Sequence, residues 1–364
     1  MSKTAAVPPE PYASRISNLR TELARRKVDG YLIQDRMDQY WLTGFTGEDG
    51  PVLVTPKQVV LLTDGRFDEA ADREAPFARK VLRKKRTPDE TMREVKRHRV
   101  SRLGFNPNHM SVAEFDALKK LAAPVRLVPL EGVIKPLRAS KDAGEVQRVR
   151  ASIQVAEQAF QNLRQWLRPG QTERQIAARL VYEMQNLGAQ GECFPTIVAA
   201  GANSSLPHYE PGDRALRENE ILLIDWGARH NWYCSDLTRV LWFGDIPSEL
   251  KKALAVVRQA HDQAIAAVRP GIKAKAVDRV ARDIITKAGY GKLFNHGLGH
   301  GLGLLVHEAP RVAKPSTDTL LPGMVITIEP GIYMPGIGGI RLEDDVLVTE
   351  TGYEVLTTLP LELS

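Results

Sequence analysis

Apolar positions in the first part of the chain recur first at helical and then at strand spacing. Ile16, Leu19 and Leu23 form a stripe that predicts a helix, and Gly30-Tyr31-Leu32-Ile33 after it reads as a strand. Val52-Leu53-Val54 and Val59-Val60-Leu61-Leu62 read as a hairpin. Around residues 134–141 the chain crosses into a second region, where Ser140 or Asp142 stands as the cap of a long helix. Val146, Val149, Ile153, Ala156 and Phe160 repeat at helical spacing, and this helix stops before Pro169-Gly170. Further helices are predicted over residues 172–187, 249–268 and 273–288. The division expected is a loosely ordered or disordered tail at 1–13, a smaller domain at 14–138 and a larger one at 139–364. Helices outside and strands inside describe an α+β fold.

Several short apolar runs of the larger region end in, or follow from, a carboxylate. Ile221-Leu222-Leu223-Ile224 ends at Asp225-Trp226-Gly227, and Ser235-Asp236-Leu237-Thr238-Arg239 leads into Val240-Leu241-Trp242-Phe243. Antiparallel pairing of these runs through a polar turn at residues 229–231 would bring Asp225 and Asp236 face to face. Val325-Ile326-Thr327-Ile328 precedes Glu329-Pro330-Gly331. In Gly339-Ile340-Arg341-Leu342-Glu343, alternation puts Arg341 and Glu343 on one face and Ile340 and Leu342 on the other. His300 sits in His296-Gly297-Leu298-Gly299-His300-Gly301-Leu302-Gly303, where glycines let the backbone approach a crowded site.

A lone Asp after an apolar run is ordinarily a turn or cap residue, and a lone His among glycines is ordinarily a bonded loop residue. The glycine run also lacks the Lys-Ser/Thr of a phosphate loop and the spacing of a dinucleotide turn. Five such positions in order carry more weight than any one. Four carboxylates and one imidazole suit a pair of divalent ions, with manganese or magnesium favoured by oxygen donors and cobalt, iron or zinc admitted by the imidazole. Balanced charge of that kind can hold a bridging water that ionises near neutral pH.

The segments around Asp225, Asp236, Gly299-His300-Gly301, Val306-His307-Glu308-Ala309-Pro310, Ile328-Glu329-Pro330-Gly331-Ile332-Tyr333 and Gly339-Ile340-Arg341-Leu342-Glu343-Asp344-Asp345 resemble the pita-bread dinuclear metallopeptidases. The order and spacing match the aminopeptidase P and prolidase branch of that family. Tyr40-Trp41-Leu42-Thr43-Gly44-Phe45-Thr46-Gly47 and Leu62-Thr63-Asp64-Gly65-Arg66-Phe67 resemble the creatinase-like amino-terminal domain of the same branch. The resemblance implies a pita-bread catalytic domain preceded by a smaller α/β creatinase-like domain. It implies two divalent metal ions per chain, manganese first and cobalt, zinc or iron as alternatives. Asp225 would hold one ion, His300 and Glu329 the other, and Asp236 and Glu343 both. His208, His307 and Glu329 take catalytic places, His296 lines a prolyl pocket, Tyr333 and Arg311 lie at its rim, and Arg341 orients a bridging carboxylate.

The activity implied is hydrolysis of the bond before proline, releasing the first residue of short Xaa-Pro-Yaa peptides. The alternative is an Xaa-Pro dipeptidase, which needs a cation for the substrate's free carboxylate; Arg311 and Arg341 are the candidates. A catalytically inactive peptide-binding module is a further alternative, set against the presence of all five ligands. Methionine-specific relatives lack the creatinase-like first half that this chain has. Relatives with that domain dimerise through it, so a homodimer is expected. One departure stands out: Trp232 precedes Tyr233 where the family has Gly, which bears on pocket shape and leaves the ligand set intact.

Composition narrows the rest. A chain of 364 residues allows two domains and a sizeable core. Residues 1–14 lack an apolar signal segment, and no apolar stretch reaches the length of a membrane span, so no membrane partner is expected. Cys193 and Cys234 make no disulfide framework, which fits a cytoplasmic setting, and Cys234 reads as packing near Asp236. The net charge of +6 traces to residues 79–102, with eleven Lys or Arg against three acids. That run has no aromatic residue, so it reads as a solvated basic face and no nucleic-acid partner is expected.

Overall fold

The structure is a computed structural model that describes residues 8–363. Contacts divide the chain into two compact units after Arg138. In the first, the elements run α1 (Tyr12–Arg25), β1 (Gly30–Ile33), α2 (Arg36–Thr43), β2 (Val52–Val54), β3 (Val59–Thr63), α3 (Asp68–Glu74), β4 (Arg79–Leu82), α4 (Thr87–Arg97), β5 (Arg102–Phe105), α5 (Val112–Ala122), β6 (Arg126–Pro129) and α6 (Lys135–Ala139). The six strands form one mixed sheet in the order β4-β3-β2-β1-β5-β6. β1, β2 and β3 are buried at every position, which is why they read as unbroken apolar runs. Ile16, Leu19 and Leu23 of α1 are buried as the stripe requires. That helix starts at Tyr12, so the loose tail expected over 1–13 is too long at its inner end; residues 1–7 lie outside the described residues. Part of the basic run is paired: Arg79 with Glu94, Lys80 with Asp68 and Asp72, Arg83 with Asp49, Arg86 with Asp89, and Arg93 with Glu90. Among the described residues no helix is long and apolar enough to cross a membrane.

The second unit begins with α7 (Ala143–Trp166) and α8 (Glu173–Asn186). Of the two candidate caps, α7 uses Asp142, which accepts from Glu145 N at 2.9 Å while the Glu145 carboxylate accepts from Asp142 N at 3.1 Å. Then follow β7 (Gly191–Glu192), β8 (Ile197–Ala200), β9 (Ile221–Trp226), β10 (Ala228–His230), β11 (Tyr233–Cys234) and β12 (Leu237–Trp242). Helices α9 (Ser248–Ala267) and α10 (Ala274–Lys287) precede β13 (Gly299–Gly301), β14 (Glu308–Val312), β15 (Val325–Ile328), β16 (Gly331–Met334), β17 (Gly338–Arg341), β18 (Asp344–Val348), β19 (Tyr353–Val355) and β20 (Glu362–Leu363). The main sheets have the orders β20-β12-β9-β8 and β14-β13-β15-β18-β19.

Strand alternation in β9 decides where its carboxylate goes. Leu222, Ile224 and Trp226 join Phe160, Leu163, Ile176 and Leu180 of α7 and α8 in one core cluster. Ile221 and Leu223 join a second cluster with α9, α10 and the β15 residues Ile326 and Ile328. Asp225 therefore leaves β9 on the face turned to β15. Trp226, stacked on Phe160 at 4.5 Å and donating from Nε1 to Ala156 O at 3.0 Å, fixes that strand end against α7.

β9 and β12 pair antiparallel as expected, but Asp225 faces Thr238 rather than Asp236. The reason is the turn. β10 and β11 are joined by two residues, Asn231 and Trp232, both with positive φ (49° and 72°), and His230 pairs with Tyr233. That register runs unchanged to Asp225–Thr238, so Asp236 lies diagonally across from Asp225 on the same face, a spacing of about 7–8 Å between Cα atoms.

Candidate metal centre

The five predicted ligand positions come together at the ends of β9, β12, β13 and β15 and in the link between β17 and β18. Asp236, His300 and Glu343 each offer a donor atom within 4.8 Å of the others. His300 Nε2 lies 3.3 Å from Glu329 Oε1 and 3.6 Å from Asp236 Oδ2. Its Nδ1 is 3.2 Å from Gly301 O, and since a carbonyl only accepts, that nitrogen carries the proton and leaves Nε2 facing the carboxylates. The flanking glycines are required: a Cβ on Gly299 would stand 2.0 Å from Thr327 O, and one on Gly301 would stand 2.1 Å from Ala309 O.

Arg341 joins the cluster from below. Its guanidinium donates from Nε to Thr238 Oγ1 at 3.1 Å, from Nη1 to Tyr333 OH at 2.8 Å and from Nη2 to Asp225 Oδ2. Thr238 Oγ1 in turn donates to Glu343 Oε2 at 2.6 Å. Arg341 and Glu343 thus share a face, as alternation predicted, while Ile340 and Leu342 are fully buried in the core. The strand itself is shorter than that pattern suggested, ending at Arg341 before Glu343 turns back to bridge Thr238.

Charge is unbalanced in this cluster. Burial, followed by the neighbouring carboxylates Glu343, Asp225 and Asp345, pushes the Asp236 carboxyl well above the usual range. Burial and Glu329 and Asp225 do the same to Glu343, and burial raises Asp225 despite Arg341. Glu329 is held low against its burial by the hydrogen bond and charge of His300. Asp225 Oδ1 is buried without a hydrogen bond. Acceptor-only oxygens crowded in this way, with one orphaned and too little positive charge around them, fit divalent cations by both charge and donor type.

The other predicted residues are placed unevenly. His307 is exposed, with its ring 4.3 Å from that of His300 and steeply inclined to it. Partial burial lowers the His307 pKa first, and the charge of His300 lowers it further against the opposing charge of Glu329. His208 is exposed on the loop after β8. His296 is half-buried, its Nε2 2.8 Å from Tyr333 OH and its Nδ1 2.7 Å from Gly297 O. Since Arg341 donates to the Tyr333 oxygen, the Tyr333 hydroxyl donates to His296 Nε2. Tyr333, expected at the rim, is buried, so the chain Asp225–Arg341–Tyr333–His296 runs under the cluster. Arg311 is exposed and sits directly opposite His300 in the β13–β14 pair.

Three supporting residues had no clear signal in the sequence. Thr238 links Arg341 to Glu343, Asp345 accepts from Asp236 N at 3.2 Å, and Thr327 Oγ1 accepts from His300 N at 3.1 Å. Thr238 and Thr327 lie two residues from a ligand on their strands, so alternation could have found them. Asp345 stands in the same relation to Glu343.

Comparison with known proteins accords with this geometry. The model of metallopeptidase family M24 matches residues 147–350, and that of the creatinase/prolidase N-terminal domain matches residues 15–140. An uncharacterized peptidase of Bacillus subtilis is 34% identical over 349 residues, covering 96% of this chain and 99% of that protein. The solved Xaa-Pro dipeptidase from Bacillus anthracis is 34% identical, with a TM-score of 0.94 over 97% of this chain and 100% of that one. An X-Pro aminopeptidase from Thermotoga maritima is 33% identical, with a TM-score of 0.89 over 94% of this chain and 99% of that one.

Proposed function

The chain belongs to metallopeptidase family M24, carrying a creatinase-type domain ahead of the pita-bread unit, and from that premise we propose that it cleaves the peptide bond before proline in Xaa-Pro dipeptides. The reading rests on one observation above all: Asp225, Asp236, His300, Glu329 and Glu343 converge in a buried, charge-deficient cluster with His307 against it. These five residues would hold two divalent ions, Asp225 on one, His300 and Glu329 on the other, Asp236 and Glu343 on both. When bound, the ions supply Lewis acidity toward the scissile carbonyl and acidify a water.

The chain's own groups do the rest. Glu329, held ionised by His300, accepts a proton from the attacking water and delivers it to the prolyl nitrogen as the bond breaks. His307 and His208 stand on the open side, where they can hydrogen-bond the oxygen on which negative charge develops. His296, fixed by Tyr333 and by Gly297 O, offers a rigid wall for the proline ring.

The cation question separates the two peptidase readings. Arg341 is buried, and all three of its nitrogens already donate, to Thr238, Tyr333 and Asp225, which leaves it poorly placed to receive a substrate carboxylate. Arg311 is exposed, opposite His300, and can receive one. This favours the dipeptidase over the aminopeptidase acting on longer Xaa-Pro-Yaa peptides, which was the leading expectation from the sequence. The likeness to the Thermotoga maritima aminopeptidase keeps the latter as the second reading. Kinetics on Ala-Pro, Ala-Pro-Ala and Ala-Ala-Ala test both. The dipeptide should be cleaved fastest, and Arg311→Ala should lower its kcat/KM roughly 10-fold or more while sparing Ala-Pro-Ala. Faster cleavage of Ala-Pro-Ala would make the enzyme an aminopeptidase, and equal cleavage of Ala-Ala-Ala would remove the proline requirement.

A further inference from the structure

Residues 200–212 run from the end of β8 past His208, yet among the described residues no hydrogen bond holds the His208 ring. Its position must come from the backbone of that segment. A single carboxylate meets the segment at four points. Glu173, the first residue of α8, is fully buried and accepts from Ala200 N at 2.8 Å and Asn203 Nδ2 at 2.9 Å on Oε1. On Oε2 it accepts from Tyr209 OH at 2.7 Å and Gly212 N at 3.2 Å. Asn203 Nδ2 also donates to Tyr209 OH at 2.8 Å, which closes a ring of three side chains. Two donors lie before His208 and two after it.

Among the described residues no Lys or Arg forms an ion pair with Glu173, and Arg214 is engaged by Glu220 at 2.8 Å. Three effects hold the negative charge: the N-terminus of α8, the nearby charge of Arg214, and the four donors, which fill the accepting capacity of a carboxylate. A second tie joins the segment to the ligand strands, because Gly339 N donates to Ser204 Oγ at 2.7 Å, two residues before Arg341. His208 therefore hangs from a loop fixed at both ends.

We propose that Glu173 is the positioning residue of this site, holding residues 200–212 so that His208 stands over the metal cluster and meets the substrate. The inference rests on the role given to His208 above. Glu173→Gln tests it, since an amide keeps the shape but turns one accepting edge into a donating one. Either orientation then sets an NH2 group against two donors of the segment. In the holoenzyme, bound metal should be unchanged. Hydrogen exchange of amides 201–212 should accelerate roughly 10-fold or more, while amides of β9 and β15 keep their protection. kcat/KM on Ala-Pro should fall by up to ~10²-fold, as for a catalytic group moved by about an ångström.

The decisive readout is a double-mutant cycle. In a His208→Ala background, Glu173→Gln should cost no further rate if it acts through His208. An equal fold-loss in both backgrounds would overturn the proposal, as would unchanged exchange across 201–212. Should Glu173→Gln fail to fold, Tyr209→Phe removes one donor from the ring and is held to the same two criteria. If the wild-type protein cleaves no Xaa-Pro dipeptide, the peptidase reading falls, while the exchange result still reports on Glu173 and the loop.

Discussion

Replacing Arg341 by Lys keeps a buried positive charge and removes the planar donor fork. The guanidinium reaches Thr238, Tyr333 and Asp225 from three nitrogens of one plane. One ammonium on a flexible stem that stays on Asp225 gives up the other two. A hydrogen bond from a charged donor is worth about 1.5–3 kcal/mol net, which sets an upper range of roughly 3–6 kcal/mol for the pair. Neither hydroxyl is left without a partner: Thr238 still donates to Glu343 at 2.6 Å, and Tyr333 still bonds His296 at 2.8 Å. No desolvated donor or acceptor is stranded, so the expected loss is about 2–4 kcal/mol. Urea unfolding in excess chelator, followed by circular dichroism, measures that loss without the contribution of metal. The same variant titrated with manganese should bind roughly 10–100-fold more weakly, because Asp225 loses the group that aims it. A variant that unfolds within about 1 kcal/mol of wild type and binds manganese with unchanged affinity would refute the role given to Arg341.

Protein loaded with manganese or cobalt should hold about two ions per chain and lose hydrolysis in chelator, and Asp236→Ala or Glu343→Ala should lose both ions together in metal analysis. His307→Ala should keep the metal and lower kcat by ~10²–10³-fold, and a wild-type rate would return this residue to a structural place. At Trp232, with φ 72° in the two-residue turn, Gly should be more stable than Ala by about 1 kcal/mol, because both lack the indole and only Ala keeps the strain; equal melting temperatures would count against it. Burial alone would lower the His261 pKa, but its bond to Asp262 at 3.1 Å and its ion pair with Asp344 at 3.3 Å outweigh burial and raise it above 6.5. A raised folded value gives stability that is complete below the unfolded pKa and lost as pH rises through the folded one, so the advantage of wild type over His261→Gln should shrink in urea midpoints as pH rises past 6.5.

Sequence by itself determined the elements and the strand ends that carry the carboxylates. The unbroken apolar run of β9, buried at every position, and the capping boxes at Asp142 and Thr172 are local signals, each set by residues a few positions apart. The ordered positions of Asp225, Asp236, His300, Glu329 and Glu343 were legible for the same reason, since each stands beside its own strand. The facing of Asp225 to Thr238 was not legible, because it depends on which two residues make the turn, and Asn231-Trp232 lacks the glycine that marks such turns. Whether Arg311 or Arg341 is free to meet a substrate was likewise hidden, since commitment to Asp225, 116 residues away, is a fact of packing. Glu173 gave no signal at all: its donors lie 27–39 residues further along and converge on it only when β8 and the following loop fold over the start of α8. Local patterning reports which faces are buried; only tertiary structure decides which buried polar groups meet, because each must find its partner from whatever the other elements bring.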